Sequence, residues 1–130
     1  EISPNNPLSK KKKVTLTDIQ KTPCILIATK EQQEQEREYY QNTFGLGDSY
    51  IFANTLDEGH LMVIGKRGYM LAESTTGKPV TSSNTVCVPL YREAKQMTTR
   101  YYAFWLKTNS NQLIEDFASN LYQIFHGKTK

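Results

Sequence analysis

Tyr101-Tyr102-Ala103-Phe104-Trp105-Leu106 is apolar on both faces and leads, across a short polar break, into Asn111 to His126. In that second segment Leu113, Ile114, Phe117, Ala118, Leu121, Ile124 and Phe125 recur at i, i+3, i+4 and i+7. This is the period of an amphipathic helix, so the stretch predicts a strand followed by a helix laid on a sheet. Asn109 stands as N-cap, Gln112 at the capping-box position and Gly127 as the stop. If Tyr102, Phe104 and Leu106 face the helix, Tyr101 and Trp105 face away. A second layer is expected over them, since Trp and Tyr are usually well buried. Left bare, they mark a partner surface.

Working outward, Cys24-Ile25-Leu26-Ile27-Ala28 is also apolar on both faces and reads as the central strand. Thr29 and Gln32 have capping-box spacing, and Glu31 and Glu34 suit a first helical turn. The polar segment 31–43 is therefore a surface helix, pinned by Tyr39, Tyr40 and Phe44 and ended by Gly45 and Gly47. Residues 14–19 make a short strand with a break near Asp18. Residues 48–56, 60–64 and 69–73 read as a meander of antiparallel strands, with turns at Asp57-Glu58-Gly59 and Gly65-Lys66-Arg67-Gly68. A polar loop over 74–85 precedes another strand at 86–91, where Pro89 places it at an edge or a bulge.

The expectation is an α+β domain. It has a single curved antiparallel sheet of six to seven strands, a polar helix near 30–44 and a C-terminal amphipathic helix packed on the sheet. A pleckstrin-homology-like barrel is one architecture with that outline. Residues 1–13 read as a flexible linker, because Pro4 and Pro7 block regular structure and four lysines repel one another. Residues 14–130 then form one globular domain.

The net charge of +3 is accounted for by Lys10-Lys11-Lys12-Lys13, which leaves the remainder close to neutral. A nucleic-acid-binding domain needs a basic face rather than a basic leader, so there is no strong case for nucleic acid. Charged residues are only 22% and tyrosines outnumber phenylalanines eight to five, a surface solvated by hydroxyls and amides. That composition points to an exported or cell-envelope protein, with a cytoplasmic location as the alternative. The chain starts at Glu1 rather than Met; a missing upstream segment could be a signal peptide or a lipoprotein-type anchor, which would bring membrane proximity. No apolar run approaches the ~20 residues of a membrane span. Cys24 and Cys87 could form one bridge in an exported protein, or remain two buried thiols.

Val63-Ile64-Gly65-Lys66-Arg67-Gly68 resembles the Ile-Gly-x-x-Gly core of KH nucleic-acid-binding domains, over six residues. KH loops join two helices, whereas both flanks here read as strands, so a glycine-bounded hairpin turn is the reading. Thr75-Thr76-Gly77-Lys78 resembles the end of a P-loop. Ala72 stands where that motif needs glycine, and Pro79 replaces its Mg²⁺-binding hydroxyl, which excludes it. Asp57, Glu58 and His60 point different ways from a strand or turn and make no chelate. His126 suits the last turn of its helix without a metal.

No nucleophile elbow is present, and no exposed electropositive cysteine. The expectation is a non-enzyme without cofactor or metal, acting through contact with another protein, with Tyr101 and Trp105 as the partner surface if they are bare. The alternative is an intracellular pleckstrin-homology-like or nucleic-acid adaptor. It would bind an anionic ligand through Lys10, Lys11, Lys12, Lys13, Lys66 and Arg67. Oligomeric state and ligand are not readable from the residues.

Overall fold

The computed structural model describes residues 1–74, 80–81, 84–109 and 111–126. The chain is mixed α+β and divides into two compact units, Glu1–Met97 and Thr98–Lys130.

The first unit begins with the leader, and the leader is folded. Ile2 pairs antiparallel with Val86 through N–H to O bonds of 2.9 Å in each direction, and Ile2 and Ser3 are buried. The residues that suggested a tether make a single 3-10 turn, Pro7–Lys10. Asn6 caps it by accepting from the Leu8 N–H at 2.9 Å, and proline sits in its first turn. Proline tolerates that position because its missing N–H would have no helical partner there.

Strand β1 (Val14–Thr15) is followed at once by helix α1 (Leu16–Ile19), not by more strand. Thr15 and Asp18 form a reciprocal capping box, which accounts for the break at Asp18. Strand β2 (Cys24–Ile27), helix α2 (Gln33–Phe44), strand β3 (Tyr50–Ala53) and helix α3 (Leu56–Ile64) then follow. Strands β2 and β3 are parallel, with Cys24 opposite Tyr50 and Ile27 opposite Ala53. Tyr69 bridges the other side of Cys24, also in parallel. The antiparallel meander is thus replaced by β-α-β-α crossovers, the connection that parallel neighbours require.

Parallel strands of this kind are covered on both faces, and β2 shows it residue by residue. Cys24 and Leu26 belong to a cluster with Val14, Ile19, Leu46 and Tyr69, flanked by Tyr40, Phe44, Tyr50 and Phe52. Ile25 belongs to a cluster with Ala53, Val63 and Met70. Val63 is fully buried, and through it α3 packs on β2 and β3.

Residues 60–64, expected as a strand, lie in helix α3. Thr55 accepts from the Glu58 N–H, and the Glu58 carboxylate accepts from the Asn54 N–H at 2.7 Å. Gly59 is a contact position inside this helix and not a turn. A Cβ there would lie 2.8 Å from Ile27 Cδ1 and 3.0 Å from Met70 Sδ.

The remaining strands are short. β4 (Val80–Thr81) pairs antiparallel with β5 (Val86–Cys87). β6 (Leu90–Arg92) lies between β1, parallel, and β7 (Lys95–Gln96), antiparallel. Pro89 separates β5 from β6 and its carbonyl accepts from the Val14 N–H at 3.0 Å. The described sheets hold three, two and two strands, so a single curved sheet or barrel of six to seven strands does not form.

The second unit contains a 3-10 turn, Lys107–Asn109, and helix α4 (Gln112–His126). Its cap is Asn111, whose side chain accepts from the Ile114 N–H at 3.0 Å, not Asn109. Gly127 and the P-loop-like residues 75–79 lie outside the described residues. No described helix is long and apolar enough to cross a membrane.

Candidate functional site

The second unit carries the most conspicuous surface in the molecule, and its sequence explains why. Helix α4 keeps the spacing expected of it, but no described residue of α4 is buried. Leu113, Phe117, Ile124 and Phe125 are all exposed, while Ile114, Ala118 and Leu121 are half-buried. Residues 101–106 form no strand. Tyr101, Tyr102 and Leu106 are exposed, Phe104 is 86% exposed, and even Trp105 is 47% exposed.

The local geometry nevertheless shows alternation. Tyr102 and Phe104 stack with ring centroids 6.1 Å apart and planes 27° apart, and Arg100 Nη1 donates to the Tyr102 hydroxyl at 3.5 Å. Side chains two residues apart meet on one side when the backbone is extended. The expected split, with Phe104 and Tyr102 on one side and Trp105 and Tyr101 on the other, is consistent with this pairing. Tyr101 and Trp105 are exposed where a covering second layer is expected.

This surface is apolar and electrically balanced. From 98 to 126 there are two cations, Arg100 and Lys107, and two anions, Glu115 and Asp116. His126 stacks on Tyr122 with centroids 4.2 Å apart. Exposed apolar side chains in such numbers over one stretch of chain are a feature that interaction sites share.

The basic residues are scattered and partly engaged. Lys10 ends the first 3-10 turn. Lys11 Nζ lies 2.7 Å from Asp18 Oδ1, and that contact, with the Thr15 amide, holds the Asp18 carboxyl below its usual range. Lys12 is exposed, and Lys13 Nζ sits 5.2 Å from the centre of the Tyr91 ring. Lys66 and Arg67 are exposed at the end of α3, with Lys66 in the left-handed region at φ 62°. The turn they occupy closes a helix and does not join two strands. A helix C-terminus carries partial negative charge, a setting that suits cations more than an anionic ligand.

Cys24 and Cys87 are both free thiols, the first buried and the second half-buried. Burial pushes the Cys24 thiol up to about 12, against a smaller opposing effect from its hydrogen bond with Tyr69. Burial likewise raises the Tyr69 hydroxyl. A thiol held protonated is a poor nucleophile. Asp57 and Glu58 lie in the first turn of α3, with Glu58 engaged in capping. Among the described residues no three His, Cys, Asp or Glu side chains gather as a metal site.

The sequence reading missed a second, smaller apolar surface on the first unit. Leu56, Leu61 and Ile64 of α3, with Ile27 of β2, are exposed. The signal was present in Thr55-x-x-Glu58, a capping-box pair that announces a helix. Comparison with protein-family models, curated proteins and solved structures finds no match.

Proposed function

We propose that this chain is a non-catalytic α+β domain of an exported or cell-envelope protein, acting through protein–protein contact at residues 101–126. One observation carries the reading: an aromatic segment and an amphipathic helix, adjacent in sequence, both expose the residues whose pattern calls for burial. Tyr and Trp are the side chains that concentrate binding energy in protein interfaces. The near-neutral charge of the segment suits recognition by shape and apolar burial. The cell-envelope part of the reading rests on the amide- and hydroxyl-rich composition.

The test is site-specific photo-cross-linking in the source cells. A cross-linking amino acid at Trp105 is compared with one at Tyr39, an exposed aromatic of α2. The reading expects a discrete protein adduct from position 105 and none of that size from position 39. Indistinguishable patterns at the two positions would contradict it. Recovery of the protein only from the cytosolic fraction would overturn the compartment.

A further inference from the structure

We infer that Lys10 to Lys13 form an electrostatic docking ridge on the first unit, and that its partner is a membrane surface of anionic lipid. This surface is distinct from residues 101–126, and the inference does not depend on the contact reading made for them.

The reasoning starts from a cost. Four consecutive lysines repel one another, and a flexible leader would let them spread apart. In this chain the leader is folded on both sides of them. Ile2 pairs with Val86, the 3-10 turn Pro7–Lys10 is capped by Asn6, and the Val14 N–H at the start of β1 bonds to the Pro89 carbonyl. The lysines are thereby held together on the first unit, and all four are exposed. Two of them find relief within the chain, Lys11 from Asp18 and Lys13 from the face of Tyr91. Lys10 and Lys12 have no ion pair among the described residues. Like charges kept together oppose the compact state, and a ligand of opposite charge removes that opposition.

The sheet gathers more charge beside the tract. β1 runs next to β6 with Val14 opposite Leu90, and β6 next to β7 with Arg92 opposite Lys95. Residues 10–18 and 90–96 together carry six cations and two anions, whereas the whole chain has a net charge of only +3. The sequence outside these two segments is therefore slightly acidic. A chain polarised in this way is steered with its basic side toward a negative surface.

The chemistry of the tract selects lipid over nucleic acid. An ammonium is a point charge that requires no defined partner geometry, unlike the guanidinium fork that reads phosphates and base edges bidentately. The tract holds no arginine, and Arg92 is engaged in donating to the Phe44 carbonyl at 2.6 Å. Tyr91 is half-buried with Lys13 over its ring, so that face is closed to a stacking base. A dense layer of lipid headgroups demands neither sequence nor shape, and clusters of about four to eight basic residues are the form in which proteins meet it.

Vesicle co-sedimentation of the full chain tests the inference, comparing phosphatidylcholine vesicles with vesicles of phosphatidylcholine and phosphatidylglycerol in equal parts. The expected result is binding to the mixed vesicles at about 0.1 M salt, lost at about 1 M, and much weaker binding to the neutral ones. Lys10→Gln/Lys12→Gln should weaken it about thirtyfold, the loss of two lysines near such a surface. The thermal midpoint of that variant should equal or exceed the parent's, because no internal partner is lost. Lys66→Gln/Arg67→Gln removes the same charge at the end of α3 and should leave binding within about twofold of the parent.

An equal loss in the Lys66/Arg67 variant would place the effect in net charge and overturn the ridge. No binding at low salt, or equal binding to both kinds of vesicle, would overturn it as well. An oligonucleotide bound more tightly than the mixed vesicles at the same salt would overturn the choice of lipid.

Discussion

Cys24-Ile25-Leu26-Ile27 and Tyr101-Tyr102-Ala103-Phe104-Trp105-Leu106 carry the same message in sequence, a segment apolar on both sides, and meet opposite fates. In the first, α2 and its neighbours supply one cover and α3 the other, so that Cys24, Ile25 and Leu26 are buried. In the second, the same kind of pattern is left exposed, and the helix after it exposes its stripe as well. An apolar pattern states that a segment needs cover; it does not state that its own chain provides it. Where the chain does not, the proposed function takes the uncovered residues as the place for another molecule.

The comparison breaks most readily under truncation of one residue from each segment. Ile25→Ala removes a buried side chain between β2 and α3 and should destabilise by about 2–5 kcal/mol. Phe104→Ala should change the stability of the dilute chain by no more than about 0.5 kcal/mol. Urea unfolding of the two variants measures both, and equal losses would end the distinction.

A smaller effect is expected from Gly68→Ala. A Cβ there would lie 2.3 Å from the Pro23 carbonyl oxygen, which accepts from the Tyr69 N–H at 3.0 Å. The chain must shift where Tyr69 joins β2, at a cost of about 1–3 kcal/mol. An unchanged thermal midpoint would show that the Tyr69 bridge contributes nothing to the covered side.

Much of the covered side is legible in the residues, and its direction is not. The run 24–28 announces a strand, and the aromatic anchors with Gly45 announce a helix; both are present, but the Thr29–Gln32 pair does not cap it, since α2 starts at Gln33 with no side-chain cap. The two-sided apolarity of β2 is itself the signature of a parallel strand. Short apolar runs at 48–56 and 60–64 nevertheless read as a meander, because glycines at 59 and 65 resemble turns. Only tertiary packing reveals that Gly59 sits under Ile27 and Met70. The leader fails for a similar reason: Pro7 and Asn6 disfavour long regular structure but fit a single capped turn. At the exposed end, the sequence identifies α4 and the alternation of 101–106. Whether a stripe is covered depends on what lies opposite it, which periodicity does not encode.

Two further measurements sharpen the boundary of the covered side. Thiol labelling of the native chain should modify Cys87 first and reach Cys24 only on unfolding, because burial keeps the Cys24 thiol protonated and inaccessible. Two fast thiols, or none, would contradict the placement of these residues. The smallest effect belongs to Asp18, whose carboxyl is held below its unfolded value by Lys11 and the Thr15 amide. A depressed carboxyl stabilises above the unfolded value, and that contribution is lost as pH falls through the folded one. Asp18→Asn should therefore be slightly less stable than the parent at neutral pH and indistinguishable from it in strong acid. A difference that persists in acid would place the effect elsewhere than in ionisation.

Hydrogen exchange followed peptide by peptide, at several protein concentrations, bears most directly on the claim that residues 101–126 are uncovered within their own chain. In dilute solution the amides of 101–106 should exchange rapidly and those of α4 faster than those of β2. Protection of 101–126 equal to that of β2 at every concentration would mean that the chain itself covers this surface, and would contradict the account.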